Sequence, residues 1–181
     1  TINNQKLISA ETGEEMKIEF LLVSPNFERI VGPMIQNLKR LGIEAKMRTV
    51  DSAQYQNRLQ EFDFDIIVGT IRQSLSPGNE QRDFWTPAAA EINGSRNYAG
   101  IKDPVVDELV DLVITAPDRE NLISRTRALD RILLWGHYVI PHWHIRSYRL
   151  IYWNIFGKPK TSPKYGLGFP NTWWMKSSLL K

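Results

Sequence analysis

Between Lys17 and Ile71, apolar runs and amphipathic stretches alternate in the order strand, helix, strand, helix, strand, and no other feature constrains the possible fold as much. KIEFLLVS (17–24) is a short apolar run suited to a buried strand, and Pro25 ends it where a proline is tolerated as the first residue of a helix. NFERIVGPMIQNLKRLG follows, with Ile30, Val31, Met34, Ile35, Leu38 and Leu41 at three- and four-residue spacings and Gly42 where a left-handed cap is wanted. Pro33 inside it is expected to kink the helix or divide its first turn from the rest. IEAKMRTV (43–50) sets Ile43, Ala45 and Met47 on one face and Glu44, Lys46 and Arg48 on the other, as a half-buried strand does. Asp51 or Ser52 caps a short helix, SAQYQNRLQEF, and FDIIVGTI (64–71) reads as another buried strand. Connections of this length favour right-handed crossovers, so the expected class is α/β: a mainly parallel β-α-β-α-β sheet covered by helices.

The second half is helical. Asp103-Pro104 opens a helix with Val105, Val106, Leu109, Leu112 and Val113 inward, and Asp118 caps a longer one through Leu122, Ile123, Leu129, Ile132, Leu133 and Trp135. The pair is expected to cover the sheet. Residues 155–181 are rich in Gly, Pro and aromatic residues without a period, and are expected to wrap over the lobe or toward a missing partner. The chain therefore divides into an entry segment (1–16), an α/β lobe (17–146) and a C-terminal segment (147–181).

Composition narrows the function classes. Without cysteine there is no disulfide framework, thiol nucleophile or sulfur metal site. No apolar run approaches the roughly 20 residues that span a bilayer, and TINNQKLIS has neither a signal-peptide pattern nor an initiator methionine, so a fragment or a processed chain is expected. Net charge is +3, yet Asp130 is the last acidic residue and residues 131–181 carry only basic charge. A basic tail with interleaved aromatics (146–166) suits nucleic acid, but the charges follow no single spacing and no RNP-like or helix-turn-helix signature accompanies them. A solvated, partly packed C-terminal segment is the better reading.

All three histidines lie in HYVIPHWHI (137–145). His142 and His144, two apart in an extended segment, would point to one face roughly 7 Å apart, a spacing that suits zinc. A third ligand is missing, and no activated serine accompanies the pair, so neither a metal site nor a nucleophile-His-Asp arrangement is expected. The alternative kept open is an α/β hydrolase or transferase using His142 or His144 as general base. More informative is GTIRQSLSPGNEQRDFW (69–85), which leaves the C-terminal end of a predicted strand, where ligands gather in open α/β sheets, and is dense in polar side chains.

Taken in order, residues 18–69 (IEFLLVSPNFERI to DFDIIVG), QSLSPGNEQRDFW, the helical run from DPVVDELVDLVI to HYVIPHWHI, and PKYGLGFPNTWW resemble the C-terminal part of the oligopeptide- and dipeptide-binding proteins of bacterial ABC importers. Within them the chain looks most like the branch associated with murein-derived peptides and microcin C. The resemblance covers residues 15–175 and implies one lobe of a two-lobed periplasmic solute-binding protein. Such a protein is a monomer without cofactor or catalytic activity; it closes on a peptide ligand and delivers it to an inner-membrane ABC permease. The resemblance also implies that residues 147–181 return toward a missing N-terminal lobe, and that HYVIPHWHI is a strand near the cleft. The ligand-binding residues it suggests are Arg72, Gln73, Glu80, Arg82, Asp83, Trp85, Asn97 and Tyr98. One departure stands out: where better-known members place an aspartate that pairs with the peptide's α-amino group, this chain aligns Gln73, so Glu80 or Asp83 takes over the amine or another ligand feature is recognised.

Overall fold

The apolar run after Met16 forms the centre of a parallel sheet because helices cover both of its faces. In the computed structural model, residues 2–3, 6–145, 147–164 and 166–176 are described; Arg146, the expected end of the lobe, lies outside them. A short antiparallel pair, β1 (Ile2–Asn3) and β2 (Lys6–Leu7), leads into β3 (Lys17–Leu22). Ser24 then caps a 3-10 turn, Pro25–Phe27, and α1 (Glu28–Arg40) continues from it. Pro33 lies inside α1 without ending it; the hydrogen bond it forgoes falls to Arg29, at the start of the helix. The other end is closed by Gly42 at φ +78°. Its N–H donates to Lys39 O (3.0 Å) and the Ile43 N–H to Leu38 O (3.1 Å), a cap that a residue without Cβ adopts with least strain.

β4 (Glu44–Thr49) pairs in parallel with β3, from Lys17↔Glu44 to Leu22↔Thr49. Asp51 caps α2 (Ser52–Gln60), its carboxylate accepting from the Ala53 and Gln54 N–H groups, and β5 (Ile66–Ile67) pairs on the other side of β3, giving the order β4-β3-β5. Alternation along β3 sorts the two layers. Phe20 and Leu22 pack with Val31, Met34, Ile35 and Leu38 of α1, while Leu21 packs with Tyr55 and Leu59 of α2. Burial on both faces is why β3 reads as a continuous apolar run. The strand expected over residues 64–71 shrinks to two residues: β5 is an edge, and beyond Ile67 the chain leaves the ladder toward Gly69.

The helical half begins earlier than expected, with α3 (Glu80–Trp85) and α4 (Pro87–Ala90), and continues through α5 (Pro104–Ile114) and α6 (Arg119–Trp135). Asp103 and Asp118 are the N-caps of the two long helices, as their positions predict. Their inward faces meet each other and α3 rather than the sheet: Phe84, Trp85, Ile101, Val106, Val110, Val113 and Leu129 form one core, distinct from the two that flank β3. The inward stripe of α5 is Val106, Val110 and Val113, spaced by four and three; Val105 and Leu112, expected inward, are exposed, as are Ile123 and Trp135 on α6.

HYVIPHWHI is not a strand. His137 ends α6 in a left-handed conformation (φ +55°), and residues 138–145 pair with no other strand among the described residues. Pro141 contributes no N–H to a ladder. The chain divides within this segment, at residues 139 and 140, into two compact units. The second, Ile140–Lys181, holds the antiparallel pair β6 (Phe156–Gly157) and β7 (Trp174–Met175) and a knot of rings in which Tyr152 and Phe169 meet Trp173 edge-on at 4.9 and 5.4 Å.

Candidate functional site

In a parallel sheet the segments leaving the carboxyl ends of the strands converge on one edge, where ligands bind. Here those segments are residues 23–24 after β3, residues 50–51 after β4 and the long stretch 68–79 after β5, which runs into α3. The candidates of that stretch therefore split between irregular backbone (Arg72, Gln73) and a short helix (Glu80, Arg82, Asp83, Trp85).

Helical spacing sorts the side chains of α3. Residues 81, 84 and 85 face the core, while 82 and 83 face out. Arg82 pairs with Asp111 of α5 (2.6 Å), and the Asp83 carboxylate takes the Nε of Arg96, whose guanidinium also lies 4.1 Å from the centre of the Phe84 ring. Both charges are therefore engaged within this unit. Trp85, expected as an apolar wall of a cleft, is 7% exposed and belongs to the core of α5 and α6. Asn97 is 1% exposed: its Nδ2 donates to Thr86 O (3.0 Å) and Ile101 O (2.9 Å), and its Oδ1 accepts from the Ile101 N–H (2.9 Å). With both of its N–H groups used, it is a buried strut between α3 and α5. Tyr98 beside it is exposed and meets the Phe64 ring edge-on at 6.4 Å.

The residue that organises the site is Gln81, which sequence reasoning passed over as one polar side chain among many. It is 3% exposed and links three others. Its Nε2 donates to Gln73 Oε1 (2.7 Å) and to Glu80 Oε1 (3.2 Å), and its Oε1 accepts from Trp85 Nε1 (2.9 Å). The only hint in the sequence is a glutamine four residues before a tryptophan, on the face of a helix that also carries Phe84. Glu80 Oε1 also accepts from the Gly78 N–H (3.0 Å). Hydrogen bonds from the N–H groups of Gly78 and of Glu80 itself hold the Glu80 carboxyl below its ordinary range, against the opposing effect of partial burial. Gln73 is exposed, and Arg72 next to it likewise. A residue from the far end of the helical half completes the stretch: the Arg119 guanidinium, at the start of α6, donates to the Leu75 carbonyl.

The opposite edge of the sheet also carries a polar concavity, lined among others by Glu19, Lys46, Arg58 and Asp63. Those charges satisfy one another, Arg58 bridging Glu19 (3.2 Å) and Asp63 (2.8 Å) and Lys46 reaching Glu19 (3.2 Å), so this concavity is an ion-pair network at the amino ends of the strands. Among the described residues no group of three or more His, Asp and Glu side chains is placed to hold a metal ion. In the second unit His142 lies edge-on to Trp143 with ring centres 5.2 Å apart.

No family model matches the chain. Curated relatives do. An uncharacterized protein of Sinorhizobium fredii, y4wM, is 52% identical over 177 residues, covering 98% of this chain and 27% of its own length. The probable peptide-binding protein YejA of Agrobacterium fabrum is 47% identical over 173 residues, covering 96% of the chain and 28% of the relative. The peptidoglycan-binding protein YepA of the same organism is 34% identical over 174 residues, with the same shares, 96% and 28%. The chain thus spans little more than a quarter of these relatives. Among solved structures, the oligopeptide-binding protein AppA of Bacillus subtilis, in complex with a nonapeptide, superposes with a TM-score of 0.62 at 19% identity, over 72% of this chain and 26% of that one. A periplasmic oligopeptide-binding protein of Thermotoga maritima with bound mannohexaose gives 0.62 at 20%, over 75% of this chain and 28% of that one. These likenesses establish an α/β fold of the periplasmic binding protein kind, and one fold holding both a peptide and a sugar leaves the ligand to the site itself. The chain is homologous to part of proteins named for peptide and peptidoglycan binding, and it shares its fold with a solved oligopeptide-binding protein.

Proposed function

From that homology and fold, we propose that the chain is the ligand-facing lobe of a substrate-binding protein of a bacterial ABC importer. The whole protein is a periplasmic monomer that closes two lobes on an oligopeptide and hands it, unchanged, to an inner-membrane permease. Residues 17–146 supply one lobe, and residues 147–181 lead back toward the other. The observation that carries this reading is the 47% identity, over 96% of the chain, to a probable peptide-binding protein. Murein-derived peptides are the proposed class of ligand, because a relative sharing 34% identity is named for peptidoglycan binding.

On this reading the ligand meets Arg72, Gln73, Glu80 and Tyr98, which carry exposed or partly exposed polar atoms, while Arg82, Asp83, Trp85 and Asn97 hold the frame. Asp83 is already neutralised by Arg96, which leaves Glu80 as the anion for a peptide ammonium group. Calorimetry of the whole two-lobed protein with trialanine and with a murein tripeptide tests the function, and mass spectrometry of the recovered peptide tests for turnover. Binding with intact recovery is expected; hydrolysis, or no heat with any peptide, sinks the proposal. In the whole protein, Glu80→Gln is expected to weaken trialanine by about 2–5 kcal/mol, as truncation of one partner of a desolvated charge pair does. N-acetyl-trialanine should be nearly indifferent to the change, and equal losses for the two peptides would remove Glu80 from the amine.

A further inference from the structure

Three linked side chains fix which atom of Gln73 is turned toward Gln81. An indole N–H only donates, so the Gln81 oxygen, 2.9 Å from Trp85 Nε1, is the acceptor and the Gln81 nitrogen is turned the other way. That nitrogen has two N–H groups, and both are taken: one by Glu80 Oε1 at 3.2 Å, the other by Gln73 at 2.7 Å. The atom of Gln73 that meets Gln81 is therefore its oxygen, and its NH2 group remains on the exposed side. Gln81 and Trp85 are 3% and 7% exposed, so Gln81 cannot turn over without stranding the buried indole N–H of Trp85. Nearby groups share this polarity: Arg72 brings only donors, and so does Arg119, bonded to the Leu75 carbonyl.

We infer that Gln73 presents N–H donors and not its carbonyl oxygen, so that it selects an oxygen acceptor of the ligand, a peptide carbonyl or a terminal carboxylate, and does not bind the ligand's ammonium group. This rests on the reading that residues 72–85 face a peptide, and it adds to that reading the kind of atom Gln73 meets. Glu80 and Gln73 then divide the work, an anion for the amine and a donor for an oxygen.

The decisive variant is Gln73→Glu. A glutamate there still accepts from Gln81 Nε2 but replaces the outward donors by a second oxygen, so the internal frame is kept while the outward polarity inverts. An unfolding temperature near that of the unaltered protein verifies the frame. Trialanine is expected to bind the variant at least tenfold more weakly. If the acceptor is an internal carbonyl, trialanine amide loses as much; if it is the terminal carboxylate, trialanine amide loses little, because its own amide donates to the new oxygen. Unchanged or tighter binding of trialanine by Gln73→Glu overturns the inference, since an ammonium group would welcome the added carboxylate. A neutron structure of the unliganded protein reads the orientation without any ligand. Deuterons on the outward atom of Gln73 uphold the inference, and an oxygen there overturns it even if no peptide binds and the peptide reading itself has failed.

Discussion

Asn97 shows how much of the neighbourhood of the site depends on single buried amides. Its carboxamide bridges the carbonyls of Thr86 and Ile101 and the N–H of Ile101, so that the junction of α3 and α4 and the approach to α5 are held by one side chain. Removing it strands backbone groups at a position 1% exposed to water. Asn97→Ala is expected to cost roughly 2–4 kcal/mol, because each buried group left without a partner costs about 1–3 kcal/mol. Urea unfolding measures this, and a loss under about 0.5 kcal/mol, the scatter of ordinary surface substitutions, would mean that water or a neighbour replaces the amide. Neither Asn97 nor Gln81 announces its part in the sequence. An amide in a polar run reads the same whether it is solvated or buried, and its orientation is set by partners up to eleven residues away, as Thr86 is from Asn97.

Elements were more legible than residues, for a physical reason. The order strand, helix, strand, helix shows in the chain because burying β3 on both faces demands an unbroken apolar run, and burying α1 and β4 on one face demands periods of 3.6 and 2. Caps were equally readable: Asp51, Asp103 and Asp118 each accept from N–H groups in the first turns of α2, α5 and α6. At the far end of α1, Gly42→Ala is expected to cost about 1–2 kcal/mol, the penalty of placing a Cβ in the left-handed region, and a thermal melt of the variant checks it. What did not show was strand length. FDIIVGTI and VIPHWHI have strand-like composition, but a strand also needs a partner ladder, and β5 finds one for two residues while residues 138–145 find none among those described. The inward stripe of α5 was displaced for a related reason: three consecutive choices of apolar face fit VVDELVDLV, and packing against α3 and α6 picks Val106, Val110 and Val113.

On the scale of the whole molecule, charge and packing divide at the same place. The first unit contains all twenty acidic residues and the three packed cores; the second contains no acid. Residues 1–139 expressed alone are therefore expected to unfold in one cooperative transition, since none of those cores draws on residues beyond 139. A broad, non-cooperative melt would show that the second unit completes the first. The six tryptophans of the chain are also unequal. Trp135, Trp143, Trp153 and Trp174 are more than half exposed, whereas Trp85 lies in the core with its indole tied, through Gln81, to Gln73, the amide proposed to face the ligand. A soluble quencher such as acrylamide darkens the first four and spares Trp85. The emission that survives comes from Trp85 and the half-buried Trp173, and its Trp85 share reports on a ring bonded through Gln81 to Gln73; if Gln73 meets the ligand as proposed, the protein carries its own optical gauge of occupancy, with no dye to attach.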